Sequence, residues 1–114
     1  MVTSVWPRCS LYDAGEKLVL VAELAGIEAH NISVAVIRVH NSPDRVLLRG
    51  FRQHEATDGF EAHRRERRFG AFSREVPLPV PVWADTVLAR LRRGLLWVEM
   101  KKATEPRMVA VEAS

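Results

Sequence analysis

The chain has 114 residues, 47% of them hydrophobic and 27% charged, with 17 basic residues against 14 acidic ones. That size and composition fit one globular domain, and the net charge of +3 is too mild to signal a polyanion partner by itself. Cys9 is the only cysteine, which excludes an internal disulfide and a thiolate-rich zinc site. No run reaches the roughly 18 apolar residues of a membrane span. The opening stretch MVTSVWPRCS lacks a charged-then-apolar leader pattern. A cytoplasmic protein with no membrane partner is expected.

In chain order, the hydrophobic period is two. A first short strand is expected in SLYDAG, and KLVLVAEL then puts Leu18, Leu20, Ala22 and Leu24 on one face. NISVAVI aligns Ile32, Val34 and Val36, and RVLLRG aligns Val46 and Leu48. AFSREVPL aligns Phe72, Arg74 and Val76, and LLWVEM aligns Leu96, Val98 and Met100. Alternation in runs rich in β-branched residues marks half-buried strands. VWADTVLARLRR admits two readings. Asp85 is a plausible helix N-cap, but β-branched Val87 and the proline-rich approach favour a short turn and then a strand carrying Val87, Ala89 and Leu91 on one side. The links AGIEAH, HNSPD, TDG, PLPVPVWAD and RRG have turn chemistry, and few of them match a crossover helix. The fold class is therefore all-β, an immunoglobulin-like antiparallel sandwich of about seven to nine strands. Val19, Val21, Leu47 and Trp97 fall on the outward faces.

Catalytic signatures are missing. There is no glycine-rich phosphate loop, and no nucleophile–base pattern surrounds Cys9 or any serine. His54 and His63 lie near Glu55, Asp58 and Glu61, but a solvated loop is the better reading than a metal site. Trp83 and Trp97 read as packing or surface anchors rather than a base-stacking platform. No enzyme, no cofactor and no metal are expected.

Three stretches resemble the alpha-crystallin domain of the small heat-shock proteins, most closely its bacterial and plant branch. They are LVLVAELAGIEAHNISVAV, HRRERRFGAFSREVPLP and VLARLRRGLLWVEMKK. The last has Ala89, Gly94, Leu95 and Leu96 in the places of that family's A-x-x-x-x-G-V-L block. The resemblance divides the chain into a short arm (1–8), the domain (9–102) and a C-terminal extension (103–114). It implies an ATP-independent chaperone that holds partly unfolded proteins and assembles as a homodimer by strand exchange. A module of the same fold that co-assembles with a longer relative is the alternative. Because so little precedes the domain, a dimer or small oligomer is expected rather than a large shell.

The resemblance also assigns sites. The exchanged loop would run from about Arg52 to Phe69, carrying Phe60, Arg64, Arg65, Glu66, Arg67, Arg68 and Phe69. The receiving strand would be Cys9 to Tyr12, with Ser10, Leu11, Tyr12 and Arg74 at the dimer interface. Charge on an exchanged strand discourages indiscriminate edge pairing. Asp13, Glu16 and Glu66 are candidate counter-charges. Alternation also splits the arginines over two faces, which disfavours a nucleic-acid grip. The tail ends PRMVAVEAS, where Val109 and Val111 resemble the family's Ile-x-Ile motif. Its groove would be lined by Val34, Val36, Val87, Ala89 and Leu91. Two departures stand out. Ala25 replaces the usual turn proline, and IRVHNSPDR is longer than the usual link, suggesting an extended hairpin.

Overall fold

The structure is a computed structural model that describes residues 6–53 and 70–103, together with 111 and 113. Seven strands occur among the described residues: β1 (Cys9–Asp13), β2 (Lys17–Glu23), β3 (Ile32–Ile37), β4 (Arg45–Arg52), β5 (Gly70–Pro77), β6 (Leu88–Arg92) and β7 (Leu95–Lys101). They form two antiparallel sheets, one of order β1-β2-β7-β6 and one of order β3-β4-β5. The all-β sandwich expected from period-two alternation is the observed architecture.

The core is where the alternation puts it. Leu18, Leu20, Ala22 and Leu24 from the β2 run lie beside Leu96, Val98 and Met100 of β7 on the inward face of one sheet, and Val46, Leu48 and Phe72 close the core from the other sheet. Each buried leucine or valine contributes about 1.5–3 kcal/mol against exposure. Such burial offsets the chain entropy lost on folding.

Two turns fix the geometry near the open edges. Arg93 (φ 49°) and Gly94 (φ 79°) form the two-residue link between β6 and β7, the left-handed pair that matches strand twist. Gly94 also lies against the turn after β2. A Cβ there would sit 3.1 Å from the Ala25 Cα, while the Leu24 N–H donates to the Gly94 carbonyl at 2.7 Å. In a second close fit, the Phe72 ring lies across Gly50, which pairs with Ile32 on one side and Phe72 on the other. Trp6 meets Phe72 edge-on at 4.9 Å, and the Arg52 guanidinium lies 5.0 Å from the Trp6 ring centre. The arm residue thus closes one end of the sandwich.

VWADTVLARLRR resolves as a turn and then a strand. A 3-10 turn spans Ala84–Thr86, and β6 begins at Leu88. Asp85 lies inside that turn and Trp83 occupies the cap position, with no side-chain cap. The Thr86 hydroxyl holds the turn instead, donating to the Trp83 carbonyl and accepting from the Lys101 N–H. Val87 precedes the strand rather than belonging to it. The long link 38–44 is not an extension of the β3–β4 ladder, which ends at Ile37 and Arg45. It folds onto the segment before the 3-10 turn. Arg38 donates to the Val82 carbonyl at 2.6 Å, and the Val82 N–H donates to the Asp44 carboxylate at 3.3 Å. One side chain of each sign therefore satisfies both polar groups of a fully buried residue.

Candidate interaction site

The two open flanks of the four-stranded sheet are β1 and β6. At β6 the hydrogen-bond pattern follows from the turn. Arg92 and Leu95 flank a two-residue link and form a bonded pair, so the bonded positions on β6 are Leu88, Arg90 and Arg92. The backbone N–H and C=O groups of Ala89 and Leu91 then point away from β7, toward the open edge. Their side chains share the inward face, where they line a groove of about 320 Å³ with Ala29, Ile32, Val34 and Leu96. Apolar walls beside backbone groups without a partner among the described residues suit an added extended segment, whose alternate side chains enter the groove while its main chain joins the ladder.

Of the groove residues expected from sequence, the structure brings together Val34, Ala89 and Leu91. Val36 and Val87 are not in its wall; both pack against the core elsewhere. The spacing of the sequence does not mark Ala29, Ile32 or Leu96 as groove residues. Ile32 and Leu96 carry the same alternation as the core and cannot be told from it, and Ala29 lies in a 3-10 turn that leaves no periodic signal. A larger hollow of about 540 Å³ lies near Ala14–Lys17. Its walls combine Leu88 and Met100 with the charges of Glu16, Lys17, Glu99 and Lys101, which are best left hydrated, whereas the β3–β6 groove is lined by apolar side chains alone.

At the other flank, Ser10 and Tyr12 are exposed and Leu11 packs against the core. Arg74 reaches across from β5 and donates to the Pro7 carbonyl. With Arg8, Cys9, Ser10 and Tyr12 it lines a polar cleft of about 480 Å³. Burial pushes the Cys9 thiol above its ordinary pKa, and the Arg74 charge pulls it part of the way back. Asp13, a candidate counter-charge for the loop, is engaged within its own chain. It accepts from Lys102 at 2.8 Å and from the Gly15 N–H, which hold its carboxyl below the usual range.

Phe60, Arg64, Arg65, Glu66, Arg67, Arg68 and Phe69 lie outside the described residues, as do His54, His63 and Val109. Val111 stands 94% exposed. Val19, Val21, Leu47 and Trp97 face outward as expected, and Trp97 is 41% exposed.

The chain is 32% identical over 111 residues to spore protein SP21 of Stigmatella aurantiaca, covering 95% of this chain and 63% of that protein. It is 36% identical over 92 residues to the 17.0 kDa class II heat shock protein of Zea mays, covering 75% and 60%. Over 100 residues it is 28% identical to heat shock protein 16 of Schizosaccharomyces pombe, covering 84% and 66%. The chain thus spans 60–66% of the length of these relatives. Among solved structures, a small heat-shock protein from Xylella fastidiosa superposes with a TM-score of 0.70 at 30% identity, over 97% of this chain and 100% of that one. The hspA protein of Xanthomonas axonopodis gives 0.69 at 32% identity, over 88% and 97%. Residues 11–112 match the sequence profile of the Hsp20/alpha crystallin family. With the family profile matched over residues 11–112 and the fold superposing on small heat-shock proteins, this chain belongs to the Hsp20/alpha crystallin family.

Proposed function

We propose that the protein is an ATP-independent holdase of the cytoplasm, capturing partly unfolded proteins through its open sheet edges. The observation that carries this reading is the apolar groove between β3 and β6, bordered by backbone groups of Ala89 and Leu91 that have no partner among the described residues. An unfolded segment offers what such a site takes: apolar side chains two residues apart and a main chain without partners. No covalent step is needed. Burying two valine-sized side chains yields roughly 3–5 kcal/mol gross, and ordering the segment cancels much of it. Each contact is therefore weak and reversible, and repeated contacts become firm through effective concentration.

The same groove accepts the C-terminal segment of the chain through Val109 and Val111, so tail and client compete for one site. The flank at β1 receives the segment that links β4 to β5 in a second subunit, beginning after Arg52, which belongs to β4, with Ser10, Leu11, Tyr12 and Arg74 at the seam, giving a homodimer. Light scattering of a thermally stressed client, with and without the protein and without nucleotide, tests the reading. Suppression of scattering is expected at substoichiometric to stoichiometric ratios. Unchanged scattering at molar excess refutes it.

A further inference from the structure

The outer face of the four-stranded sheet carries a charge pattern that the fold itself does not favour. Leu18, Leu20 and Ala22 of β2 and Leu96, Val98 and Met100 of β7 take the inward places, so the alternate residues look out. From β1 to β6, two rows across that face read Ser10, Val21, Trp97, Arg90 and Tyr12, Val19, Glu99, Leu88. A third runs from Glu23 through Leu95 to Arg92. An acidic residue opposite an arginine stabilises an antiparallel pair. Here Arg90 faces Trp97 and Arg92 faces Leu95, while Glu99 faces Leu88 and is engaged by Lys17 at 3.4 Å. Arg93 follows in the turn, and among the described residues no carboxylate pairs with Arg90, Arg92 or Arg93. All three are exposed. Beside them Trp97 is 41% exposed, and with Leu95, Arg92 and Arg93 it lines a hollow of about 270 Å³. Tryptophan and arginine side by side at an open concave place are residue types on which binding energy concentrates.

We propose that this corner of the sheet, formed by Arg90, Arg92, Arg93 and Trp97, is a second docking surface for unfolded clients, and that it selects extended acidic segments with two carboxylates and a large apolar side chain on one side. It rests on the holdase reading above and adds a class of client. Arg90 and Arg92 stand two residues apart on one strand face, about 6.8 Å. An extended segment laid along β6 repeats at the same spacing, so carboxylates at i and i+2 meet both guanidinium groups. The next side chain on that side falls over the hollow at the β6–β7 turn, where Trp97 and Leu95 offer apolar surface.

The surrounding charges limit the length of the partner. Glu23 stands beyond Leu95 across the sheet, and Glu99 stands beyond Trp97 along β7. A run of phosphates would continue past the arginines onto one of these carboxylates, whereas a short acidic stretch of polypeptide ends before it. An acidic peptide therefore fits this corner better than a nucleic acid does. The groove between β3 and β6 opens on the inward side of the same strand and is apolar throughout, so it takes segments without regard to the sign of their charge. The two surfaces are thereby separable by experiment.

Fluorescence anisotropy of the full chain with two labelled peptides tests this, one built on Glu-Ser-Glu-Ser-Phe and the other on Lys-Ser-Lys-Ser-Phe. The acidic peptide is expected to bind about three- to tenfold more tightly at low salt, the range of two exposed charge pairings, and the preference should fade as salt rises. Arg90→Glu should remove the preference. Arg49→Glu changes the net charge equally at an exposed position of the other sheet and should leave most of it. Trp97→Ala should weaken the acidic peptide severalfold. Equal affinity for the two peptides, or Arg90→Glu and Arg49→Glu acting alike, overturns the surface and leaves the groove reading standing. An oligothymidylate that displaces the acidic peptide at a lower concentration than unlabelled acidic peptide does, and loses that ability in Arg90→Glu, overturns the choice of occupant. Failure to suppress scattering of any stressed client refutes the holdase reading, and with it the client role of this surface.

Discussion

Gly50 is the position where a single methyl group tests the packing most directly. A Cβ there would lie 2.4 Å from Cζ and 2.6 Å from Cε1 of Phe72, and 2.7 Å from the Asn31 carbonyl oxygen. Comfortable carbon–carbon separation is about 3.5–4.0 Å, so the ring must move by more than 1 Å. It has little room, because Phe72 is 7% exposed and Trp6 stands against it. Overpacking of this kind costs about 1–3 kcal/mol. Removing a glycine from a strand returns roughly 0.5–1 kcal/mol. Gly50→Ala is therefore expected to destabilise by about 1–2 kcal/mol, lowering Tm by roughly 4–12 °C. Urea and thermal unfolding at one fixed protomer concentration measure this, since self-association shifts apparent stability. The same substitution in a Phe72→Leu background should cost about 1 kcal/mol less, because the two ring atoms are gone while the Asn31 carbonyl remains. Equal cost in both backgrounds, or a Gly50→Ala protein as stable as the parent, would refute the argument.

Three further outcomes follow from the edges and the cleft. Ala89→Asp places a carboxylate in the groove wall at an exposed position; stability should stay within about 0.5 kcal/mol, while suppression of client scattering falls at least severalfold. Arg74→Gly removes the donor to the Pro7 carbonyl at the β1 flank and should weaken the dimer; a sedimentation profile unchanged from the parent would count against the interface assignment. Cys9 is held in its thiol form by burial, so iodoacetamide should label it more slowly at pH 8 than the unfolded chain. A raised folded pKa also fixes the sign of its linkage. Its stabilising contribution is complete below the unfolded thiol value of about 8.5 and declines as pH rises through the folded value. Urea midpoints from pH 7 to 10 compared with Cys9→Ser measure it, and a parent that gains stability relative to the variant as pH rises would reverse the sign.

The strands were legible because each buries one face, and burying one face forces a period of two. Leu18, Leu20, Ala22 and Leu96, Val98, Met100 could be assigned to the core from spacing alone. Two details were not legible. Val87 reads as a strand residue by composition, but the hydroxyl of Thr86 bonds across to Lys101 and delays the ladder to Leu88. The length of 38–44 looks like a hairpin extension, yet its ends bond to the two backbone groups of Val82, 44 and 38 residues along the chain.

The candidate groove divides in the same way. Ala89 and Leu91 were visible as one face of one strand, and Val34 as one face of another. That they oppose each other is a fact about which sheets stack, which no local period encodes. Alternation told which side of each strand is apolar, because water exclusion acts on every strand alike. Only the tertiary structure decided which apolar side is sealed as core and which stays open as a groove, because closure depends on strands brought together across the whole chain and on where a sheet runs out of partners.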